Sequence, residues 1–449
     1  MLSVAPVLVA FMATACKPGD PDGSIDLIDP ETCRACHPTH YQQWSGSMHA
    51  YAGDDPVFLA MNERGQRETD GALGDFCVQC HAPVAVALGA TTDGLNLPEL
   101  DPSLRGVTCY ACHQIDAVEQ LHNNGTRLAR DTIMRGGITD PKSTPTHASE
   151  WSGFHDRDNP RSSELCGSCH DVRLDNGVDL ERTYAQWTET IFADPESPAR
   201  LSCAACHMPG SDGPAAEGGD ERRVHDHTMP GVDVAITPWP EDDTHRQAVQ
   251  GELDTMLLGQ LCVDPLTTGA AVIVGLDNVA SGHHITSGAA HDRRLWVELV
   301  ATLDGTEVWS TGAYADDEVL PHPDDGIADL WQFRDVVRDD RGEPAHMFWD
   351  VATLEEQTIG GPITLDPADP AYDVSHPTRN VLVPVDFDTL SLRARIRPIG
   401  LDVLDDLVDS GDLAPALRDA MPTFELAGTM ATWTPDAEGT VQGSYLCVP

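Results

Sequence analysis

Basic residues are scarce in this 449-residue chain: 27 Lys and Arg stand against 73 Asp and Glu, and the only lysines are Lys17 and Lys142. The net charge of −46 argues against nucleic acid or an anionic membrane surface as a partner, because both would be repelled. Acidity spread this evenly reads as a solubility or salt-adapted surface and does not by itself mark a docking face. Long apolar runs are lacking too. The run from Leu2 to Ala15 is too short to span a bilayer as a mature helix, and it ends in small residues before Cys16, the pattern of an export signal.

Cysteine is plentiful and ordered. Ten of the 13 cysteines fall in five Cys-x-x-Cys-His motifs, at Cys33/Cys36/His37, Cys77/Cys80/His81, Cys109/Cys112/His113, Cys166/Cys169/His170 and Cys203/Cys206/His207. Random placement predicts about 0.016 such motifs in a chain of this composition. Zinc knuckles pair into tetrahedral sites, which an odd number of motifs does not allow, and a thioredoxin-like redox pair needs one motif in a βαβ setting. The remaining reading is c-type haem attachment. Two thiols on one helical turn add across the two vinyl groups and the adjacent imidazole faces the iron, so each motif specifies two thioethers and one proximal ligand. Five covalently bound haem c are expected.

In chain order, residues 1–16 read as a lipoprotein-type signal, with Ala13-Thr14-Ala15-Cys16 as a loose lipobox and Cys16 as the lipidated residue; the alternative is an ordinary secretory signal with an incidental cysteine. Either implies export, which haem attachment on the oxidising side of the membrane also requires. Residues 17–30, rich in Pro, Gly and Asp, form a flexible tether. Residues 31–235 carry all five motifs, roughly 40 residues per haem, too few for a side-chain core to dominate. Short helices, long loops and little strand are expected there, with 181–193 as one helical window. Residues 236–449 change texture. Thr244-x-x-Gln247 fits a capping box opening a helix with Val249, Leu253, Met256 and Leu257 on one face. A strand at 271–276, a hairpin of 295–303 and 306–309 about Asp304-Gly305, strands at 345–352, 381–397, 422–432 and 440–448, and a helix at 401–408 predict an antiparallel β-sandwich. The fold class is therefore α+β and multidomain.

Each iron needs a sixth ligand or keeps an open site, and this choice separates electron carriage from catalysis. The distal candidates of the haem region are His49, His147 and His227, followed by His155, His225 and His122; for any one of them the alternative is a solvated loop histidine. His40 lies too close to His37 to reach the far side of its iron. Cys262 and Cys447 remain after haem and lipid and form either a disulfide or two buried thiols.

The run Cys33-x-x-Cys36-His37-x-x-x-Tyr41-x-x-Trp44-x-x-Ser47-x-His49 resembles the cytochrome c-554 and c-prime group. The segments Leu165 to Val172, Tyr184-x-x-Trp187 and Cys203 to Pro209 are similar to the wider superfamily of multihaem nitrite reductase and hydroxylamine oxidoreductase. The resemblance implies stacked haems with mostly bis-histidine iron. No Cys-x-x-Cys-Lys motif of a nitrite-reducing haem is present, which weakens the enzyme reading. The loop Ser281-Gly-His283-His284-Ile-Thr-Ser-Gly288 resembles a Gly-His loop of β-domains appended to such cytochromes, so His283 or His284 is expected to cap a haem, and the nearby His291-Asp-Arg-Arg294 to meet haem propionates. The function expected is an exported, lipid-anchored carrier between respiratory redox proteins, either other cytochromes or a quinol-linked complex, in the periplasm or at the outer membrane or cell surface. The alternatives are an oxidoreductase of a small nitrogen or sulfur compound at one open haem, and a surface conduit. A pyridine haemochrome assay of the mature protein is expected to return five haems per chain.

Overall fold

The computed structural model describes residues 26–327 and 329–449. Cys16, the signal and most of the tether lie outside the described residues. The tether's last residues are docked: Leu27 is buried with Val84, Tyr110 and Ala111.

Up to about residue 235 the chain forms short helices joined by loops. Each attachment motif sits on a single helical turn. Cys109–His113 and Cys203–His207 are capped by Thr108 and Ser202, whose hydroxyls accept from the amides of Ala111 and Ala205. The longest helix here, Pro56–Glu68, begins with Asp55 as its cap. Strand is more frequent than the sequence suggests. Four two-stranded ribbons fill the segment, among them Ile115–Gln120 with Gly125–Leu128 and the parallel pair Ile133–Gly136 with Ala148–Trp151. Their residues are half-exposed, so no apolar alternation announces them.

The remainder is a sandwich of two sheets. The first runs Thr378–Val383, Ala270–Asp277, Leu258–Pro265, Tyr445–Val448 and Thr440–Gln442; the second runs Thr306–Thr311, Arg294–Leu303, Thr389–Arg397 and Phe424–Trp433, with Trp331–Phe333 also paired to Arg294–Leu303. Leu261, Val272, Val274, Leu295, Val297, Leu299, Leu392 and Leu426 fill the space between. Arg294–Leu303 reads as a nearly continuous apolar run because its outer face is covered as well: Trp296 packs with Leu320 and Leu330 beneath the guanidinium groups of Arg395 and Arg397. The turn forms as expected, with Asp304 and Gly305 at φ 51° and 75° joining paired Leu303 and Thr306.

Three expectations are corrected. The helix starts at Asp242, with Glu241 in a left-handed conformation and no side-chain cap, so the Thr244/Gln247 box does not form. The segment 345–352 holds a 3-10 turn, Phe348–Asp350, because Phe348 packs in a mixed cluster instead of pairing in a sheet. The stretch 381–397 is two strands, in different sheets.

Two further apolar clusters join the halves. Val57 and Ala60 pack against Leu401, Leu404 and Leu407, and Leu174 and Leu180 pack against Val337 and Val351. Cys262 and Cys447 are paired across adjacent strands and joined by a disulfide spanning 185 positions. Replacing both by serine opens that loop and is expected to cost about 2–5 kcal/mol, read as a lowered urea midpoint of the haem-loaded protein.

Candidate haem-binding site

One continuous cavity of about 1540 Å³ is lined by all ten motif cysteines and all five motif histidines. The motifs meet out of sequence order. Cys33 lies against Cys109, Cys80 against Cys169 and Cys166 against Cys203, while Cys112 is within electrostatic reach of Cys166 and Cys169. In space the motifs therefore run first, third, fourth, fifth, with the second beside the fourth.

The imidazoles are oriented by hydrogen bonds on the side away from the cavity. The Nδ1–H groups of His37, His81 and His207 donate to the carbonyls of Ala215 (2.6 Å), Ala52 (3.2 Å) and Pro230 (2.8 Å), and that of His113 to Arg135. A carbonyl can only accept, so Nδ1 holds the proton and Nε2 offers its lone pair, the arrangement that a metal-binding histidine needs. His147, His227 and His283 follow the same rule through Ala148 (3.1 Å), His225 (2.8 Å) and His284 (2.8 Å).

Four pairs of rings face each other across a fixed gap. The centroids of His37 and His147 are 6.2 Å apart, those of His113 and His227 6.3 Å, those of His207 and His283 6.3 Å and those of His170 and His49 6.0 Å. Two metal–imidazole bonds of about 2 Å, plus about 1 Å from each nitrogen to its ring centre, require about 6 Å. The donor set thus fits haem iron. Burial favours the neutral, ligating form of three of these rings: it pulls His49 and His227 down to about 3 and His283 to about 4. His81 differs. Phe58 stacks on its face at 4.0 Å, and no second histidine faces it at that spacing among the described residues.

The backbone explains how distant segments meet. His49 lies in a turn capped by Ser47, and its carbonyl accepts from the Val107 amide at 2.7 Å. His283 rides on a loop from the sandwich. Asn278, fully buried, donates to the carbonyls of His283 and Gly360 at 3.0 and 2.9 Å, and the Ile285 and Ile359 backbones bond to each other. From the other side, Ser287 meets Thr183 at 2.9 Å and Gln186 at 2.8 Å, which lays the loop on the helix Thr183–Thr188.

The other candidates are engaged elsewhere. His155 also faces His113, at 5.6 Å, but its Nε2 is taken by the Cys112 carbonyl (2.9 Å), and His122 bonds Gln120 outside the cavity. His284 turns to Thr358 (3.0 Å) and the Glu356 carboxylate. His225 lines the cavity but lends its carbonyl to His227. His40 stands between His37 and His227, 4.9 Å from the latter. Arg293 and Arg294 are bound by Asp233 (2.8 Å) and Asp402 (2.6 Å), and of the two Arg293 lines the cavity.

The fold and this donor set define a multihaem c-type cytochrome with a redox role. Residues 32–114, which hold the first three motifs, match the family model for cytochrome c554 and c-prime. Among solved structures, a penta-heme cytochrome c552 from Thermochromatium tepidum is similar at 21% identity with a TM-score of 0.62, covering 90% of this chain and 98% of that one, a likeness of fold. No curated protein sequence matches the chain.

Beneath the His283 loop, the Asp335 amide donates to the Ala290 carbonyl, and burial near Glu356 raises the Asp335 carboxyl to about 7. The folded protein therefore holds a proton here that the unfolded chain releases near pH 4, so this group's contribution to stability falls as pH rises from about 4 through about 7. Asp335→Asn is expected to remove that part of the slope, measured as urea midpoints between pH 5 and 8.

Proposed function

We propose that this chain is an exported pentahaem electron carrier built of two units, a haem-binding unit at 31–235 and a helix-plus-sandwich unit at 236–449. Haem c, when bound, supplies one-electron iron chemistry. In this reading His37, His81, His113, His170 and His207 are the proximal ligands, and His147, His227, His49 and His283 are distal to the first, third, fourth and fifth motifs. The observation that carries it is the set of four imidazole pairs at 6.0–6.3 Å. Filled axial positions favour electron transfer over substrate binding. The spatial order of the motifs supports a line from the first to the fifth with a branch at the second. The partners are other redox proteins. The export reading, with lipid at Cys16, rests on the amino-terminal sequence and on the chemistry of haem attachment.

A second reading follows from His81, which lacks a facing histidine. A haem held there with an open sixth position would take a small ligand, and the protein would then also act as an oxidoreductase of a small nitrogen or sulfur compound.

Low-temperature electron paramagnetic resonance of the oxidised protein tests both. The carrier reading expects four low-spin haems. The His37/His147, His113/His227 and His207/His283 planes are 31°, 21° and 10° apart and should give rhombic signals, whereas the His170/His49 planes, 88° apart, should give one strongly anisotropic signal. One high-spin haem that binds one nitric oxide per chain supports the open site at His81. His283→Ala is expected to convert one further haem to high spin while His284→Ala leaves the spectrum unchanged; identical spectra for both variants would remove His283 as a ligand.

A further inference from the structure

The ribbon Ile115–Gln120 with Gly125–Leu128 begins just after His113, and its turn comes to rest on two other attachment motifs. At the turn, Asn123 and Asn124 have left-handed backbone, φ 50° and 51°, which asparagine tolerates and glycine adopts with less strain. The turn alone therefore does not require asparagine; what uses these side chains is the main chain beside them. The Asn124 amide donates to the Ser168 carbonyl at 2.6 Å, and its side-chain Nδ2 donates to the Gln79 carbonyl. Ser168 is enclosed between Cys166 and Cys169, and Gln79 between Cys77 and Cys80, so one residue ties the fourth motif to the second. The Thr126 hydroxyl donates to Asn124 Oδ1 at 2.6 Å and fixes which way the side-chain amide points. Asn123 secures the other side. Its amide donates to the carbonyl of Asp171, next to His170, at 3.0 Å, while its side chain donates to the Arg173 carbonyl (2.7 Å) and accepts from the Arg173 amide (2.9 Å). Cys80 and Cys169 lie against each other at the same junction.

We infer that Asn123 and Asn124 are positioning residues that hold the second haem site on the fourth and so set the junction at which the branch joins the line. The inference rests on the carrier reading and adds what fixes its branch. An electron crossing the junction oxidises one iron and reduces the other, with no bond made and no proton moved, so its passage depends on how closely and in what orientation the two sites are held. The thioethers do not supply that relation, because each ties a haem to its own motif and leaves the two motifs to non-covalent contact. The ribbon also refers the junction to the third motif: the Ala129 amide donates to the carbonyl of Gln114, next to His113, at 2.8 Å and closes the ribbon's base.

The test is electron paramagnetic resonance of the oxidised, haem-loaded protein carrying Asn124→Gly, which keeps the left-handed turn and the backbone bond to Ser168 and loses the bond to Gln79. The three rhombic signals should stay at the parent g values, while the strongly anisotropic signal of the His170/His49 pair and the signal of the haem on His81 shift by more than their linewidths. Asn124→Asp, of the same size but without the Nδ2 donor, should give the same selective shift and takes the place of the glycine variant if that fails to take up five haems. Asn176→Gly is the control: it removes a bond of the same kind, made to the Val351 carbonyl of the sandwich at 2.7 Å, and should leave every signal in place. Parent spectra for both Asn124 variants, or an equal shift of all five haems, overturn the inference. Hydrogen exchange of the haem-loaded protein checks the junction without reference to axial ligands. Asn123→Gly removes the acceptor of the Arg173 amide, which should then exchange about fivefold faster; unchanged exchange there counts against the junction. A parent without the strongly anisotropic signal defeats the axial assignment alone, and the junction then stands or falls on the exchange result.

Discussion

The constraint on which the amino-terminal half depends is the placement of imidazole pairs about 6 Å apart across one cavity. A side chain alone cannot do this, because a histidine free to rotate or to change tautomer presents either nitrogen. The protein solves it with the backbone: seven cavity histidines donate Nδ1–H to a carbonyl, and each carbonyl belongs to a loop or strand end fixed by its own contacts. The loops that look irregular in isolation are the means of holding those carbonyls. The cavity these rings line takes the place of a side-chain core, which accounts for the small, scattered clusters of this region beside the single large cluster of the sandwich.

The fourth motif is the hub. Its cysteines lie against those of the second and fifth and within electrostatic reach of the third, and the helix Thr183–Thr188 that follows it receives the sandwich loop through Thr183 and Gln186. The two halves are consequently not independent modules in series. Leu404 and Leu407 pack on Val57 and Ala60 in one cluster, Val337 and Val351 on Leu174 and Leu180 in another, and between them the salt-bridged Arg293 and Asp233 border the cavity.

What was legible in the sequence was whatever short-range chemistry encodes. Cys-x-x-Cys-His is a local instruction, so the motifs and the multihaem class could be read without a fold. The Asp304-Gly305 hairpin and the helix bearing Val249 and Leu253 were legible for the same reason. Which histidines face each other across the cavity was not. His147, 110 positions from His37, and His283, 76 positions after His207, reach their partners through loop paths that leave no periodic trace. His155 ranks behind His147 and His227 in the sequence, but what separates it from them in the structure is which ring nitrogen meets a carbonyl, a property of three-dimensional placement alone. The ribbons of the haem region escaped notice since none buries a face, and 345–352 misled because aromatic residues in a mixed cluster imitate a strand.

The loop carrying His283 also bears on assembly. On the export proposed above, the chain emerges from its amino terminus, so all five attachment motifs reach the oxidising compartment before residue 283 does. On the proposed assignment, the first, third and fourth sites can be completed by residues that lie before 231, while the fifth waits for the sandwich to fold and deliver its loop. Folding of the carboxy-terminal half then acts as a maturation checkpoint: until the strands flanking Asn278 and Ile359 close, the fifth site stays half-built.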